Sequence, residues 1–248
     1  MAGTCRRPAW HALAVPQVQA DAVQRARDAA AAAAVECIEP GMTIGLGSGR
    51  AVWRVIDFIE SRFGDQPPVQ AAFASETTRE RAQASGIQPV ELNGMVRLDL
   101  AIDGADEVDP KLDVIKGGGG ALLREKLVIS AAKRFVCVAD TLKQVDRLGS
   151  TRTLPVEVVR FAWRDTRKRL LRLMPNVKLR QLGSGDAVIT DESHFLLDCT
   201  VPPDGDLPEL AAAIKATVGV VEHGLFIGMV DTALLGTPDG DVKTLRAG

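Results

Sequence analysis

The chain has 248 residues, of which 46% are hydrophobic and 25% charged, a balance typical of a soluble globular protein with one large or two small domains. Its net charge of −2 argues against nucleic acid as the main partner, because no excess of cations is present to displace counterions. No stretch approaches the roughly 18 apolar residues that a membrane span needs. The four cysteines lie far apart without a CxxC pair, which predicts reduced thiols in a cytoplasmic protein.

The first predicted helix follows a short leading segment. Residues 1–19 hold two arginines and a short apolar patch, which we interpret as a flexible extension rather than a signal peptide. The alanine-rich stretch Asp21–Ile38 predicts a helix that ends at Pro40-Gly41. A strand over Met42–Leu46 then leads into the glycine loop Gly45–Gly49, with the sequence GLGSG.

Helical spacing resumes over Ala51–Phe63, so the glycine loop lies between a strand and a helix. This order presents backbone N–H groups to a phosphate. A dinucleotide-binding fingerprint would place glycine or alanine where Arg50 stands, so nicotinamide binding is disfavoured.

Strands and helices continue to alternate as far as residue 149. Further strands are predicted at Gln70–Ala74, Val90–Leu92, Leu98–Ile102 and Phe135–Ala139. The alternation predicts a mostly parallel, Rossmann-like α/β sheet with helices on both faces, in a catalytic domain over residues 20–149.

The pattern changes after Gly149. Strand, helix, strands and helix over residues 150–224 are typical of a smaller, ferredoxin-like α+β domain, with strands that include Val177–Leu182 and Ala187–Thr190. Its first helix, Ala162–Leu173, carries a basic face. Because no aromatic side chains interleave for base stacking, we interpret this face as solvated rather than RNA-binding.

The most unusual stretch combines an acidic turn with a run of glycines. Asp103, Asp106, Glu107 and Asp109 fall in one loop, where they repel one another unless cations, protons or a polar ligand intervene. Lys116 and the glycines Gly117–Gly120 follow, and their exposed N–H groups suit an anion or a hydroxylated ligand.

A calcium-binding loop is the alternative for this acidic turn. Counted from Asp103, such a loop would need an oxygen ligand where Ala105 stands and a glycine where Val108 stands. The pattern fails at both positions, and the scattered histidines form no ligand set either, so we predict no metal site.

The helix predicted over Ala121–Lys133 places Glu125 on an apolar face. Its neighbours three and four residues away are Ala121, Leu122, Val128 and Ile129. A carboxylate on such a face is disfavoured as an anion and is suited to act as a general base. A solvated first-turn glutamate, stabilised by the helix dipole, is the alternative interpretation.

These motifs occur in one order that resembles ribose-5-phosphate isomerase, type A. The resemblance covers about Asp21 to Leu245. It rests on GLGSG at Gly45–Gly49, DGAD at Asp103–Asp106, KGGG at Lys116–Gly119, REK at Arg124–Lys126, Asp140 with Lys143, LPVEV at Leu154–Val158, TD at Thr190–Asp191, and the C-terminal GVVEHGLF and GTPDGDVKTL.

The resemblance implies the reversible isomerisation of ribose 5-phosphate to ribulose 5-phosphate in the non-oxidative pentose phosphate pathway, without a cofactor. It implies that Glu125 is the base, and that Asp103, Asp106 and Lys116 are catalytic groups that hold the sugar oxygens and assist ring opening. The implied substrate-binding residues are Ser48, Gly49, Arg50, Ala51, Gly104, Ala105, Gly117, Gly118, Gly119, Lys143 and Arg27.

It also implies that residues 225–248 rejoin the first domain and that the chain forms a homodimer or homotetramer. The expected partner is a small-molecule sugar phosphate, with no nucleic acid and no membrane.

One departure from the family pattern concerns the first glycine loop. The family usually continues this loop with two small hydroxyl residues, where this chain has Arg50 and Ala51. We expect Arg50 to replace the missing donors with a charge-assisted contact to phosphate. A different phosphorylated aldose, a sugar-phosphate sensor module and a coenzyme A transferase remain as alternatives; the last would leave the acidic turn and Lys116 without a role.

Overall fold

The computed structural model describes residues 17–248, with side chains from Ala20 onward. Most of the extension predicted over residues 1–19 therefore lies outside the described residues. Within the described range there are six α-helices: α1 (Gln17–Val35), α2 (Gly49–Phe63), α3 (Glu76–Ala84), α4 (Leu122–Ser130), α5 (Trp163–Leu170) and α6 (Leu207–Lys215). None of these six is both long and apolar enough to cross a membrane.

The same range contains fourteen strands. They are β1 (Thr43–Leu46), β2 (Gln70–Phe73), β3 (Gln88–Pro89), β4 (Leu100–Gly104), β5 (Glu107–Val108), β6 (Val114–Ile115), β7 (Phe135–Asp140), β8 (Leu154–Val158), β9 (Val177–Leu179), β10 (Phe195–Cys199), β11 (Val220–His223), β12 (Leu225–Phe226), β13 (Thr232–Gly236) and β14 (Val242–Arg246).

The central sheet has seven strands in the order β14-β13-β7-β4-β1-β2-β3. All of its neighbouring pairs are parallel except β13 with β14. Every residue of β7 is buried, which explains why this strand reads as a continuous apolar run. The predicted α/β class with a mostly parallel sheet is confirmed, and the C-terminal strands β13 and β14 lie in this sheet.

Helices cover both faces of the central sheet. On one face α1 packs against β7 and β13, and α2 packs against β4. Val52 and Ile56 of α2 belong to the same core cluster as Ile44 of β1. The buried positions of α2 recur with the three- and four-residue spacing of an amphipathic helix. On the other face Val128 of α4 packs with Leu98. The carboxyl ends of the parallel strands stay open between these layers.

A second sheet has four antiparallel strands in the order β11-β8-β10-β9. With α5 and α6 between its strands, it forms the β-α-β-β-α-β arrangement of a ferredoxin-like unit. Its buried core includes Val156, Leu170 and Leu197. The domain boundary near residue 150 stays a prediction.

Two short strands, β5 and β6, were not predicted. With β12 they form a small antiparallel sheet of two-residue strands, which are too short to show a periodic pattern. Only Leu225–Phe226 of the apolar run that follows β11 pairs as a strand. The prediction that Asp103, Asp106, Glu107 and Asp109 fall in one loop was wrong in part, because Asp103 lies in β4 and Glu107 lies in β5.

Four predicted strands were wrong in their position or extent. The strand predicted at Val177–Leu182 ends at Leu179, and the strand predicted at Leu98–Ile102 occupies Leu100–Gly104. The strand predicted at Val90–Leu92 lies two residues earlier, at Gln88–Pro89, and Leu92 is 39% exposed. The strand predicted at Ala187–Thr190 forms only isolated bridges, at Ala187 and Ile189. Ile189 is 55% exposed, so burial of its side chain does not stabilise a continuous strand here.

Candidate active site

A cavity of about 350 Å³ lies at the carboxyl ends of β1, β4 and β7. This is the edge of a parallel sheet where α/β proteins bind their ligands. Every predicted site residue except Asp103 lines it. The predicted site residues that line the cavity are Arg27, Ser48, Gly49, Arg50, Ala51, Gly104, Ala105, Asp106, Lys116, Gly117, Gly118, Gly119, Glu125 and Lys143.

Glu125 lies at the inner end of this cavity. The residue is only 4% exposed, as its apolar neighbours on the helix predict. Its Oε1 accepts a hydrogen bond from the Ser48 hydroxyl at 2.5 Å, and its Oε2 lies 3.3 Å from Nζ of Lys116. A buried carboxylate that borders a cavity and has one serine and one lysine as partners can accept and return a proton there.

Lys116 is a buried cation among three oxygen atoms. Its Nζ donates to the carbonyl of Gly104 at 2.7 Å and lies 2.8 Å from Oδ2 of Asp103, in addition to its contact with Glu125. Burial disfavours the charged ammonium, but attraction to Asp103 and Glu125 outweighs burial and raises the pKa of Lys116. The side chain therefore remains charged at neutral pH.

Asp103 lies behind the cavity wall and is 1% exposed. Its Oδ1 accepts hydrogen bonds from the backbone N–H of Gly104 at 2.7 Å and of Ser48 at 3.2 Å. Burial and the charge of Glu125 raise the pKa of Asp103 to about 7, whereas Lys116 acts in the opposite direction. We call Asp103, Lys116 and Glu125 the buried floor.

The glycine loop Gly45–Gly49 has a packing role beside the floor. A Cβ atom on Gly47 would lie 1.8 Å from Cγ of Asp103, so only glycine permits this approach. Ser48 is the N-cap residue of α2, but its side chain makes no cap hydrogen bond because it is bonded to Glu125. The first N–H groups of α2 therefore lack a side-chain cap at the edge of the cavity.

The second glycine run, Gly117–Gly120, also borders the cavity, through Gly117, Gly118 and Gly119. The N–H of Gly118 donates to Oδ2 of Asp106 at 2.7 Å. Gly117 and Gly120 have φ angles of +99° and +93°, which residues with a side chain rarely adopt. Lys116 and Gly117–Gly119 thus bring a cation and backbone donors to one wall of the cavity.

Three basic side chains surround the cavity mouth. Arg27 comes from α1, Arg50 from the first turn of α2, and Lys143 from the turn after β7. Arg27 is paired only loosely, since its Nε lies 3.8 Å from Oδ2 of Asp140. We call Arg27, Arg50 and Lys143 the cationic rim, and its charge suits a phosphate group.

Four lining residues were not assigned from the sequence: Trp53, Val138, Ala139 and Asp140. Asp140 belongs to the motif of Asp140 with Lys143, and its position directly before the turn that carries Lys143 could have identified it. Trp53 lies three residues after Arg50 on α2, so helical spacing could have placed it beside the rim. Its indole N–H donates to Thr78 at 3.3 Å.

Each carboxylate of the acidic stretch accepts hydrogen bonds from its own donors, which offsets the repulsion between these side chains. Glu107 accepts backbone hydrogen bonds from Gly149, Thr151 and Arg152. Asp109 accepts bonds from its own turn. Within residues 17–248, no group of three or more histidine, cysteine or acidic side chains is arranged to hold a metal ion.

The fold and the site together define a class of protein. A buried carboxylate and lysine, below a cationic rim at the carboxyl ends of parallel strands, define an α/β enzyme that transfers protons on a phosphorylated substrate.

Comparison with known proteins identifies the family. The model of ribose 5-phosphate isomerase A (phosphoriboisomerase A) matches residues 71–240. The chain is 44% identical over 222 residues to ribose-5-phosphate isomerase A of Synechococcus sp. (strain JA-3-3Ab), a match that spans 89% of this chain and 96% of that protein. The chain belongs to the ribose 5-phosphate isomerase A family, which confirms the resemblance found in the sequence.

Solved structures agree with this assignment. Ribose 5-phosphate isomerase from Plasmodium falciparum matches with a TM-score of 0.84 and 35% identity, over 91% of this chain and 98% of that one. A D-ribose-5-phosphate isomerase in complex with phospho-erythronic acid matches with a TM-score of 0.85 and 32% identity, over 90% of this chain and 99% of that one.

Proposed function

We propose that this chain interconverts D-ribose 5-phosphate and D-ribulose 5-phosphate in the non-oxidative pentose phosphate pathway. The observation that carries the proposal is the carboxylate of Glu125, held between Ser48 and Lys116 beside the cavity in a member of this family. A structural relative binds phospho-erythronic acid, whose planar carboxylate resembles an enediolate, and this supports a sugar-phosphate substrate.

In this proposal Glu125 carries one proton between adjacent carbons. It removes the proton from C2 of the open-chain aldose, and the electron pair forms a C1–C2 double bond while O1 takes the negative charge. The proton then returns to C1, and the hydroxyl proton of O2 moves to O1, which yields the ketose. Atoms and electrons balance within the sugar, so the exchange requires no redox cofactor.

Lys116 and the second glycine run would stabilise the enediolate. The ammonium group is already charged, buried and fixed by three oxygen atoms, so it can oppose negative charge without reorganising. The Ser48 hydroxyl donates to one oxygen of Glu125, and the other oxygen lies beside Lys116. This arrangement keeps the base in a single orientation.

The two aspartates of the DGAD turn take different roles in the proposal. Both oxygens of Asp103 face protein donors or Lys116, so we assign Asp103 to holding Lys116 rather than to a sugar hydroxyl. Asp106 borders the cavity and is fixed by Gly118, so we assign it to a sugar hydroxyl during ring opening.

The cationic rim would bind the phosphate. Arg50 begins the first turn of α2, beside N–H groups that lack a side-chain cap, and helix N-termini favour anions. Arg27 and Lys143 approach the same mouth from other elements. Here Arg50 replaces the two hydroxyl residues that the family usually has at this loop.

The direct test is incubation of the purified protein with ribose 5-phosphate alone, in excess chelator, followed by detection of the ketose. We expect ketose to form with the wild-type protein. A sensor module or a transferase would form none, and a panel of other phosphorylated aldoses would reveal a shifted substrate.

We also propose a homodimer or homotetramer that works in the cytoplasm. The family resemblance supports the assembly, and the free thiols of Cys37, Cys137 and Cys199 fit a reducing compartment. Light scattering coupled to size-exclusion chromatography would test the assembly, and a monomer at micromolar concentration would contradict it.

A further inference from the structure

Arg180 reaches from the four-stranded sheet to the second glycine run. It follows β9 directly, and its Nη1 donates to the carbonyl oxygens of Gly117 at 2.9 Å and Gly118 at 3.1 Å. Its Nε lies 3.0 Å from Oδ2 of Asp198, and its Nη2 lies 2.5 Å from Oδ1. Neither proton transfer nor phosphate binding uses this side chain, which is absent from the cavity lining.

These contacts determine where two peptide N–H groups point. In a trans peptide the C=O and N–H bonds point in opposite directions, and residues 17–248 contain no cis peptide bond. By holding the carbonyls of Gly117 and Gly118, Arg180 turns the N–H groups of Gly118 and Gly119 away from itself. The N–H of Gly118 meets Asp106, whereas that of Gly119 has no acceptor among the described residues.

A run of glycines needs such an anchor because it has no side chains of its own. Glycine loses more conformational freedom on folding than any other residue, so an unanchored run would sample many orientations. The planar guanidinium can bind a carboxylate at two points and still hold a carbonyl with its remaining donor. A lysine at this position could not make both contacts at once.

We infer that Arg180 is a positioning residue for the isomerisation. Through the two carbonyls it aims the N–H of Gly119 into the cavity, toward a sugar oxygen, and it keeps Gly118 in place against Asp106. Arg180 does not touch the substrate in this scheme. The inference rests on the proposed function for its chemistry, but the orientation of the loop can be measured without it.

The kinetic test compares Arg180→Gln and Arg180→Lys with Arg167→Gln. Arg167 is a matched control in the same ferredoxin-like unit. Its Nε donates to the carbonyl of Val177 at 2.7 Å, and its side chain does not line the cavity. We expect Arg180→Gln to lower kcat by about tenfold to a hundredfold, below the loss of a full oxyanion donor, with KM changed by less than about threefold. Inhibition by phospho-erythronic acid should weaken in parallel, and Arg180→Lys should recover part of kcat. Arg167→Gln should keep kcat within about twofold.

The loop test measures amide hydrogen exchange in the peptide that contains residues 116–121 of the free protein. Arg180→Gln should exchange faster at this peptide than the wild type or Arg167→Gln. Equal exchange in all three proteins would overturn the inference, and so would an Arg180→Gln variant with wild-type kcat despite a lowered Tm. If the wild-type protein forms no ketose, the proposed function fails, while the exchange measurement still decides whether Arg180 orders the loop.

Discussion

The buried floor and the cationic rim border one cavity but differ in their surroundings. Lys116 and Glu125 of the floor are 3% and 4% exposed, and their charges face each other at short range. Arg50 of the rim is exposed to solvent, and Arg27 has only a distant partner. Electrostatic interactions are strong where water is excluded and weak where water and salt screen them. The floor should therefore control turnover, and the rim should control affinity.

The largest effect is expected from Glu125→Gln, which keeps the shape of the floor but removes its base. We expect kcat to fall by about 10²- to 10⁴-fold, the usual contribution of a general base, with little change in the affinity for phospho-erythronic acid. Steady-state kinetics and inhibitor titration measure the two quantities. Glu157→Gln is the control, because Glu157 is also a buried glutamate but lies in the four-stranded sheet. The kcat of this variant should stay at the wild-type value. Wild-type turnover in Glu125→Gln would remove the floor from catalysis.

Lys116→Met should reduce both turnover and stability. The substitution leaves the carboxylates of Asp103 and Glu125 buried without their cation, and breaking a buried pair this way typically costs about 3–5 kcal/mol. We expect kcat to fall by about a hundredfold or more, since the group that opposes the enediolate charge is lost. Urea unfolding and kinetics give the two values.

Lys126→Met separates these two effects. Lys126 bridges α4 to Glu222 outside the cavity, so its loss should lower stability while kcat remains near the wild-type value. Equal losses of kcat in the two lysine variants would show that the floor acts only through stability.

Asp103→Asn should change how stability depends on pH. Burial and the charge of Glu125 raise the pKa of Asp103 from an ordinary value of 3.8 to about 7 in the folded protein, so the folded state binds this proton more tightly. The stabilising contribution of that proton is fully present at pH values below the pKa of Asp103 in the unfolded chain. It is lost as the pH rises through the pKa of Asp103 in the folded protein. We expect the difference in unfolding free energy between wild type and variant to change by up to about 1.4 kcal/mol per pH unit in this window.

Urea titrations between about pH 5 and pH 7 measure this slope. Asp99→Asn is the control, because pairing with Lys133 lowers the pKa of Asp99 and places its titration below the window. Parallel pH profiles for wild type and Asp103→Asn would contradict the prediction.

The smallest effect is expected at the rim. Arg50→Ala should raise KM for ribose 5-phosphate by about two- to fivefold, since a solvent-exposed charge contact contributes up to about 1 kcal/mol, and kcat should be retained. Arg62→Ala, at the other end of α2, should change neither constant. An unchanged KM in Arg50→Ala would remove Arg50 from phosphate binding.

The sequence predicts the two regions unequally. Burial of Glu125 follows from its apolar helical neighbours alone, because helix periodicity is local. Its polar partners do not follow, since Ser48 is 77 residues away and meets it only through the order of strands in the sheet. The close fit of Gly47 against Asp103 depends on the same strand order, because β1 and β4 are neighbours only in the folded sheet.

Arg180 shows a different limit of sequence reasoning. It lies in a short polar stretch of the second sheet, and no local pattern connects it with glycines 62 and 63 residues earlier. The two-residue strands β5 and β6 were missed for a related reason, since they pair with each other and with β12 only in the folded protein. Long-range pairing therefore accounts for most of what the sequence did not reveal.

The most direct measurement follows the hydrogen at C2 of the substrate. Ribose 5-phosphate carrying deuterium at C2 should lose that label in the wild-type protein, either to C1 of the ketose or to water. Glu125→Gln should bind the sugar phosphate and leave the label at C2. Loss of the C2 label from Glu125→Gln at the wild-type rate would contradict the account.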